Sequence, residues 1–352
     1  MRLRPALLLV VTALCAAVVP AQAAPAGSVS VFAAVDVAHP DTSVVAPDGT
    51  VLVSTNRGAR GSTGPSVVFR FSKHGQLLRR YVITGQASGD HGVMGMALDS
   101  RGRLYVADYA PARVLRIDLA SGRQSTYATV PDLPLCSTAG PACDNGVPGG
   151  PRQDAQPWPD GLAFLPDGTL LVTDLGQGTV FSVRNGGGTA KVWLQGAELR
   201  STFGPNQLQL DRRGNLLLDV TASTVPAVAG RGVPYRLPVL RGRPGPLTQV
   251  YATRPGEGPD GFALAASGRV YLCTLVTDTV IVLAPDGNEA SRLTRTPTDS
   301  PPFDSPSSAT FVGTDLLVTN LTYFTDRTQD DLVLRVTTAD HGVAAYRPVV
   351  HS

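Results

Sequence analysis

A strand–turn–strand unit recurs along this chain, and it constrains the fold more than any single motif. Met94-Gly-Met-Ala-Leu-Asp-Ser-Arg-Gly-Arg-Leu-Tyr-Val-Ala-Asp108 and Asp160-Gly-Leu-Ala-Phe-Leu-Pro-Asp-Gly-Thr-Leu-Leu-Val-Thr-Asp174 share one layout: a short apolar run, a tight turn at glycine and a second apolar run. Asp41 to Thr55, Asn206 to Val220 and Asp260 to Thr274 repeat it, with turn glycines at Gly49, Gly102, Gly168, Gly214 and Gly268. A sixth copy, one residue shorter, runs from Ser307 to Asn320.

Each hairpin is followed by two more strand-like stretches, such as Val114 to Asp118 with Gln124 to Val130, and Thr179 to Val183 with Ala190 to Leu194. Six four-stranded units at a period of about 45 to 65 residues predict an all-β, six-bladed propeller with antiparallel blades. No segment carries the 3.6-residue periodicity that alternating strands and helices require. The N-terminal stretch Val29 to Val35 is expected to supply the outermost strand of the last blade, beside Val343 to Tyr346, which closes the ring and removes two open edges.

The loops divide the two faces. The turns inside each hairpin, such as Pro47-Asp48-Gly49 and Pro166-Asp167-Gly168, are minimal. The other face receives the long segments Asn56 to Pro65, Pro131 to Pro159, Thr221 to Pro234, Arg254 to Pro259, Thr296 to Pro306 and Leu321 to Asp330. Loops gathered on one side of a rigid ring are where binding sites are usually built.

The first strand of a propeller blade lines the central channel, so its first residue stands at the mouth. Eight residues before each turn glycine stand Asp41, Met94, Asp160, Asn206 and Asp260, and the sixth blade offers Pro306 or Ser307. Taken singly, Pro-Asp-Gly at 159–161 and 259–261 and Gly-Pro-Asn at 204–206 are turn-forming tripeptides. Their shared offset is what turn chemistry alone does not require. Asp41, Asp160, Asn206 and Asp260 present hard oxygen donors around one axis, which is the ligand set of a divalent cation, Ca²⁺ first, with Zn²⁺, Mn²⁺ or Mg²⁺ as alternatives.

With these residues in place, the chain resembles the gluconolactonase and senescence-marker-protein (regucalcin-type) propellers, related to diisopropylfluorophosphatase and paraoxonase. In that family a Glu on the first blade, Asn residues on middle blades and an Asp on the following blade hold a divalent ion in the channel. The resemblance matches Asp41 to the Glu, Asp160 and Asn206 to the two Asn, and Asp260 to the Asp. Asp41 is one methylene shorter than its counterpart, and Asp160 is a carboxylate in place of an amide. The resemblance implies a metal-dependent hydrolase of a lactone or other ester, with Asp41 or Asp260 as general base or nucleophile.

The remaining signals are less specific. His91, three residues before Met94, is a candidate proton shuttle or substrate contact. Trp158 and Phe303 precede rim residues on long loops and are candidate walls of a substrate pocket. There is no Gly-x-Ser-x-Gly elbow, no His-Glu-x-x-His helix and no phosphate loop, which argues against serine hydrolases and nucleotide enzymes. A non-catalytic propeller that binds a glycan, peptide or protein on its upper loops is the second expectation, because the fold hosts many functions. Carbon–nitrogen or carbon–oxygen bond chemistry of the strictosidine-synthase or lyase kind is a third, for which no catalytic residue stands out.

Arg2 and Arg4 precede an apolar run from Ala6 to Val19 that ends in Ala21-Gln22-Ala23, the pattern of a secretory signal with a small-x-small cleavage site. The run is too short for a convincing membrane span, and Leu14 before Cys15 is a poor lipoprotein signal. The expectation is a released, monomeric protein whose residues 24–352 form one propeller domain and which acts on a small-molecule substrate. Removing residues 1–23 takes two of the 30 Lys and Arg residues and none of the 28 acidic ones, so the charge falls near zero and nothing calls for nucleic acid or an anionic membrane. Cys136 and Cys143 sit where an exported protein closes a small disulfide loop, whereas Cys273 lies in a strand pattern and reads as a core thiol.

Overall fold

The computed structural model describes residues 27–37, 39–56, 64–134, 155–201, 203–325 and 327–351. The expected signal segment and the Cys136/Cys143 pair lie outside the described residues. Within them, six antiparallel sheets follow one another around a ring. In blade one the strands are Pro40–Val45, Val51–Thr55, Val67–Phe71 and Leu77–Val82, paired in sequence order from the channel outward. Blades two, three and five repeat this order from Val93–Leu98, Pro159–Phe164 and Pro259–Leu264. Blade four starts with the short strand Leu208–Leu210, and its outer edge is split between Arg243–Pro244 and Thr248–Gln249.

The turn glycines explain why the hairpins form. Gly49, Gly102, Gly168, Gly214 and Gly268 all have φ between 73° and 91°, a left-handed conformation that costs a residue with a Cβ. The preceding Asp caps the turn: Asp48 Oδ1 accepts from Thr50 N at 3.0 Å, and Asp167 Oδ1 from Thr169 N at 2.9 Å.

One buried apolar cluster fills each junction between adjacent blades. Leu52, Val68, Met96, Leu104 and Val106 join blades one and two, for example, and Leu217, Phe262, Leu272 and Ile281 join blades four and five. The core is thus a ring of six seams, and its centre is left as a channel. The first strands that line this channel are rigid because both their neighbours are packed.

The ring closes as expected in one respect and differently in another. Val29–Ala34 is the outermost strand of blade six, but its partner is Leu332–Thr337, not Val343 to Tyr346. The chain beyond residue 337 leaves the sheet and crosses the lower face as a strap. Thr338 N bonds Thr314 O, Ala266 N bonds His341 O at 2.7 Å, Gln209 Nε2 bonds Val343 O, Tyr346 O–H reaches Pro166 O, Arg347 Nη2 bonds Val45 O, and Ser100 N bonds Pro348 O at 2.9 Å. These contacts touch all six blades. Val350 is fully buried in the seam between blades two and three. Backbone groups that need partners explain the difference: blade six already had its fourth strand, so the tail's groups pair with exposed hairpin turns.

Candidate cation site at the channel mouth

The rim residues owe their orientation to a local irregularity in the ladder. Pro40 pairs with Thr55 but Ser43 with Val53, so one extra residue is accommodated at positions 41–42. The same slip occurs at 160–161 and 260–261, and at 94–95 in blade two. Such bulges re-aim a side chain without breaking the sheet, and here they fall on Asp41, Asp160 and Asp260. Pro-Asp-Gly at 159–161 and 259–261 are therefore strand starts, whereas Gly-Pro-Asn at 204–206 stays in the loop before Leu208. Glycines after the rim residues allow the blades to approach: a Cβ on Gly95 would lie 2.3 Å from Asp160 O, and one on Gly161 2.5 Å from Asn206 O.

A second row of side chains sits behind the rim, on the strand that follows. Ser54 Oγ accepts from Thr42 N of its own blade at 3.1 Å and donates to Met94 O of the next at 2.7 Å. Thr173 Oγ1 does the same between Gly161 N and Asn206 O. Hydroxyls at this position thus tie one rim residue's neighbourhood to the next blade.

Asp41, Asp160 and Asn206 are buried, and Asp260 keeps partial exposure. Burial pushes the Asp41 carboxyl up to about 7, with Thr42 and Asn56 hydrogen bonds opposing. Asp160 is held well above the carboxylate range by burial and then by the charges of Asp41 and Asp174. Asp260 is raised by burial and by Asp41, Asp160 and Asp219. The charge of Asp41 thus bears on both Asp160 and Asp260.

The other buried acids are different. Asp108 is paired with Arg113 at 2.9 Å, Asp99 with Arg103 at 2.6 Å, and Asp174 accepts from Trp158 N and Gln177 N. Among the described residues, no side-chain cation is paired with the rim acids in this way. Asn206 donates its amide N–H to Thr221 Oγ1 and toward Pro259 O, while its buried Oδ1 has no partner. An orphaned amide oxygen beside these carboxylates is what an oxygen-ligated cation fits. As placed, and among the described residues, no three His, Cys, Asp or Glu side chains stand close enough together to hold one ion. The donors suit a hard cation in kind.

Sequence reading missed Asp219. It lies on the second strand of blade four, fully buried, with neither carboxylate oxygen hydrogen-bonded, and burial followed by the charge of Asp160 raises it well above its ordinary range. The signal was available in the repeat, because the fifth residue after each turn glycine reads Ser54, Ala107, Thr173, Asp219 and Cys273. One acid stands in a column of small buried side chains.

The three candidate substrate contacts part company. His91 is buried, with Nδ1 2.7 Å from Gly89 O and Nε2 2.9 Å from Gly64 O. Both ring nitrogens face loop carbonyls, and whichever carries the proton donates to one of them, so the imidazole braces these loops. Trp158 keeps partial exposure beside the rim, with Nε1 3.2 Å from Met94 Sδ and its ring 5.0 Å from that of Tyr109. Phe303 walls nothing: it is buried in the seam between blades five and six with Cys273 and Leu316, because an aromatic ring under a loop gains more from the core than from the channel. Below the rim the channel is a cavity of about 410 Å³ that reaches the strap and is lined by Ser43, Gln209, Val343 and Arg347 among others.

The sequence matches no protein-family model and no curated protein. Among solved structures it is similar to a gluconolactonase from Xanthomonas campestris, at TM-score 0.58 and 16% identity over 88% of this chain and 89% of that one. It is also similar to a calcium-binding protein, regucalcin, from Agrobacterium tumefaciens, at TM-score 0.61 and 16% identity over 92% and 97%. A virginiamycin B lyase from Staphylococcus aureus follows at TM-score 0.53 and 15% identity over 89% of each chain. At these identities the likeness defines the class as six-bladed propeller, the fold expected from the repeat.

Proposed function

We propose that this protein is an exported, cation-dependent hydrolase of lactones or other esters, with its site at the upper mouth of the channel. The observation that carries the reading is the row of Asp41, Asp160 and Asp260 at the channel mouth, with the charge of Asp41 bearing on both of the others, beside a buried Asn206 oxygen with no partner. That arrangement costs stability unless a cation compensates it. Asp41, Asp160, Asn206 and Asp260 would hold the ion. Calcium is the first choice because all four donors are hard oxygens, and a regucalcin of the same fold is described as calcium-binding.

When bound, the ion supplies Lewis-acid polarisation of an ester carbonyl. The chain's own groups supply the rest. Asp260 keeps exposure at the mouth, which suits it to act on water or on the substrate carbonyl as base or nucleophile. Asp41, whose proton affinity burial raises in the cation-free chain, would carry its charge once the ion is bound. Trp158 and Tyr109 supply an apolar flank beside Met94. The test is a panel of lactones and aryl esters, with and without chelator. Chelator-sensitive turnover that Asp260→Ala and Asn206→Ala each reduce by at least about 100-fold supports the reading. Turnover that survives both substitutions sinks it.

A further inference from the structure

Asp219 is the feature that the proposed mechanism leaves unexplained. Its position in the repeat is settled by register: Val53, Val172 and Leu218 pair with Ser43, Leu162 and Leu208, so the residues that follow, Ser54, Thr173 and Asp219, are equivalent. In blades one and three this site holds a hydroxyl that donates to the rim carbonyl of the next blade. The Asp219 carboxyl makes no such bond. The exchange of hydroxyl for carboxylate therefore removes a tie between blades and leaves both oxygens without a partner.

A buried carboxyl without a partner costs stability whether it keeps its proton or sheds it, and a cation nearby would relieve that cost. Among the described residues, no cationic side chain acts on it. The groups whose charges bear on it or feel it are Asp160, Asp260 and the Cys273 thiol, all acids. The independent sign of a missing cation is the orphaned Oδ1 of Asn206, which heads the same blade's first strand, with Asn206 N bonded to Asp219 O at 3.0 Å.

Resting on the reading of the rim as a cation site, we propose that Asp219 is a positioning residue for that cation, a charge held behind Asn206 and Asp260 that raises the affinity of the ring and biases it toward large, hard ions. It replaces a tie within the apoprotein with a tie through the ion. The consequence is a site whose empty form is weaker than its blade repeat allows and whose filled form is tighter than four rim ligands provide.

The test uses the full chain, stripped with chelator, and Tb³⁺ or Ca²⁺ alone as probe. Trp158 stands two residues from Asp160 and serves as the light-absorbing donor for Tb³⁺ emission. Asp219→Asn keeps the shape and removes the charge, and the expected loss of affinity is about 10- to 100-fold, the range for groups that support metal ligands. Asp219→Ser restores the residue of blade one. It is expected to raise the melting temperature of the stripped protein while shrinking the rise produced by Ca²⁺. Those two movements have opposite sign, which a merely structural role does not produce. If wild type binds neither ion, the rim reading itself falls. If wild type binds and both variants bind equally well, the inference about Asp219 is overturned and the rim reading stands. Should Asp219→Asn not fold, the serine variant decides alone, because its stripped form is predicted to be the more stable.

Discussion

Replacing Asp41 by Asn tests the electrostatics of the rim without changing its shape. In the folded, cation-free protein the Asp41 carboxyl titrates near 7, against 3.8 ordinarily, because burial strips its water. Between about pH 4 and 7 the folded chain thus keeps a proton that the unfolded chain has released, so stability falls as pH rises through that window. At about 1.4 kcal/mol per tenfold change in proton affinity, the loss approaches about 4 kcal/mol at pH 7. With an unfolding entropy of about 2.1 cal/mol/K per residue, that corresponds to roughly 5 °C in a chain of this length. The assay is thermal unfolding in chelator from pH 4.5 to 7, wild type against Asp41→Asn. Surface carboxylates held low, such as Glu289 at about 2 beside Arg292, contribute the opposite slope equally to both proteins and cancel. Wild type should lose about 5 °C more than the variant across the window, and saturating Ca²⁺ should abolish the difference. Parallel profiles in chelator would refute the reasoning.

Three further predictions concern the scaffold. A Cβ at Gly342 would lie 2.5 Å from Phe311 Cβ, so Gly342→Ala should cost about 1–3 kcal/mol in unfolding experiments; an unchanged midpoint would mean that the strap is not seated against blade six. His91→Gln should lower stability by about 1–2 kcal/mol through the loss of its bond to a loop carbonyl and change kcat only a few-fold, whereas a hundredfold fall in kcat at unchanged stability would return the ring to proton transfer. Cys273 is fully buried, and its thiol is raised by burial and by Asp260 and Asp219. Alkylation of the native protein, read by peptide mass spectrometry, should leave it unmodified, and rapid labelling would contradict its placement.

The repeat was legible because a left-handed glycine between two short apolar runs leaves a fixed mark in every blade. The rim followed from the same register, since a bulge of one residue falls at the same place in blades one, three and five. The strap was not legible. Its hydrogen bonds run to turns in six different blades and impose no period on residues 338–351, so Val343 to Tyr346 read as a strand of blade six. Phe303 and Trp158 looked alike as aromatics before rim residues, and only packing separates a ring in a seam from one beside the channel. Asp219 was hidden for another reason: an acid inside an apolar strand reads as an exception until the neighbouring blades supply the hydroxyls it replaces.

The central claim is that Asp41, Asp160, Asn206 and Asp260 converge on one cation. A high-resolution crystal structure of the protein soaked in calcium tests it most directly. The account predicts a single ion on the channel axis with oxygens of these four residues at about 2.3–2.6 Å, and Asn206 Oδ1 no longer without a partner. A rim that stays free of metal at saturating calcium, with its carboxyl groups bonded to one another through shared protons, would contradict it.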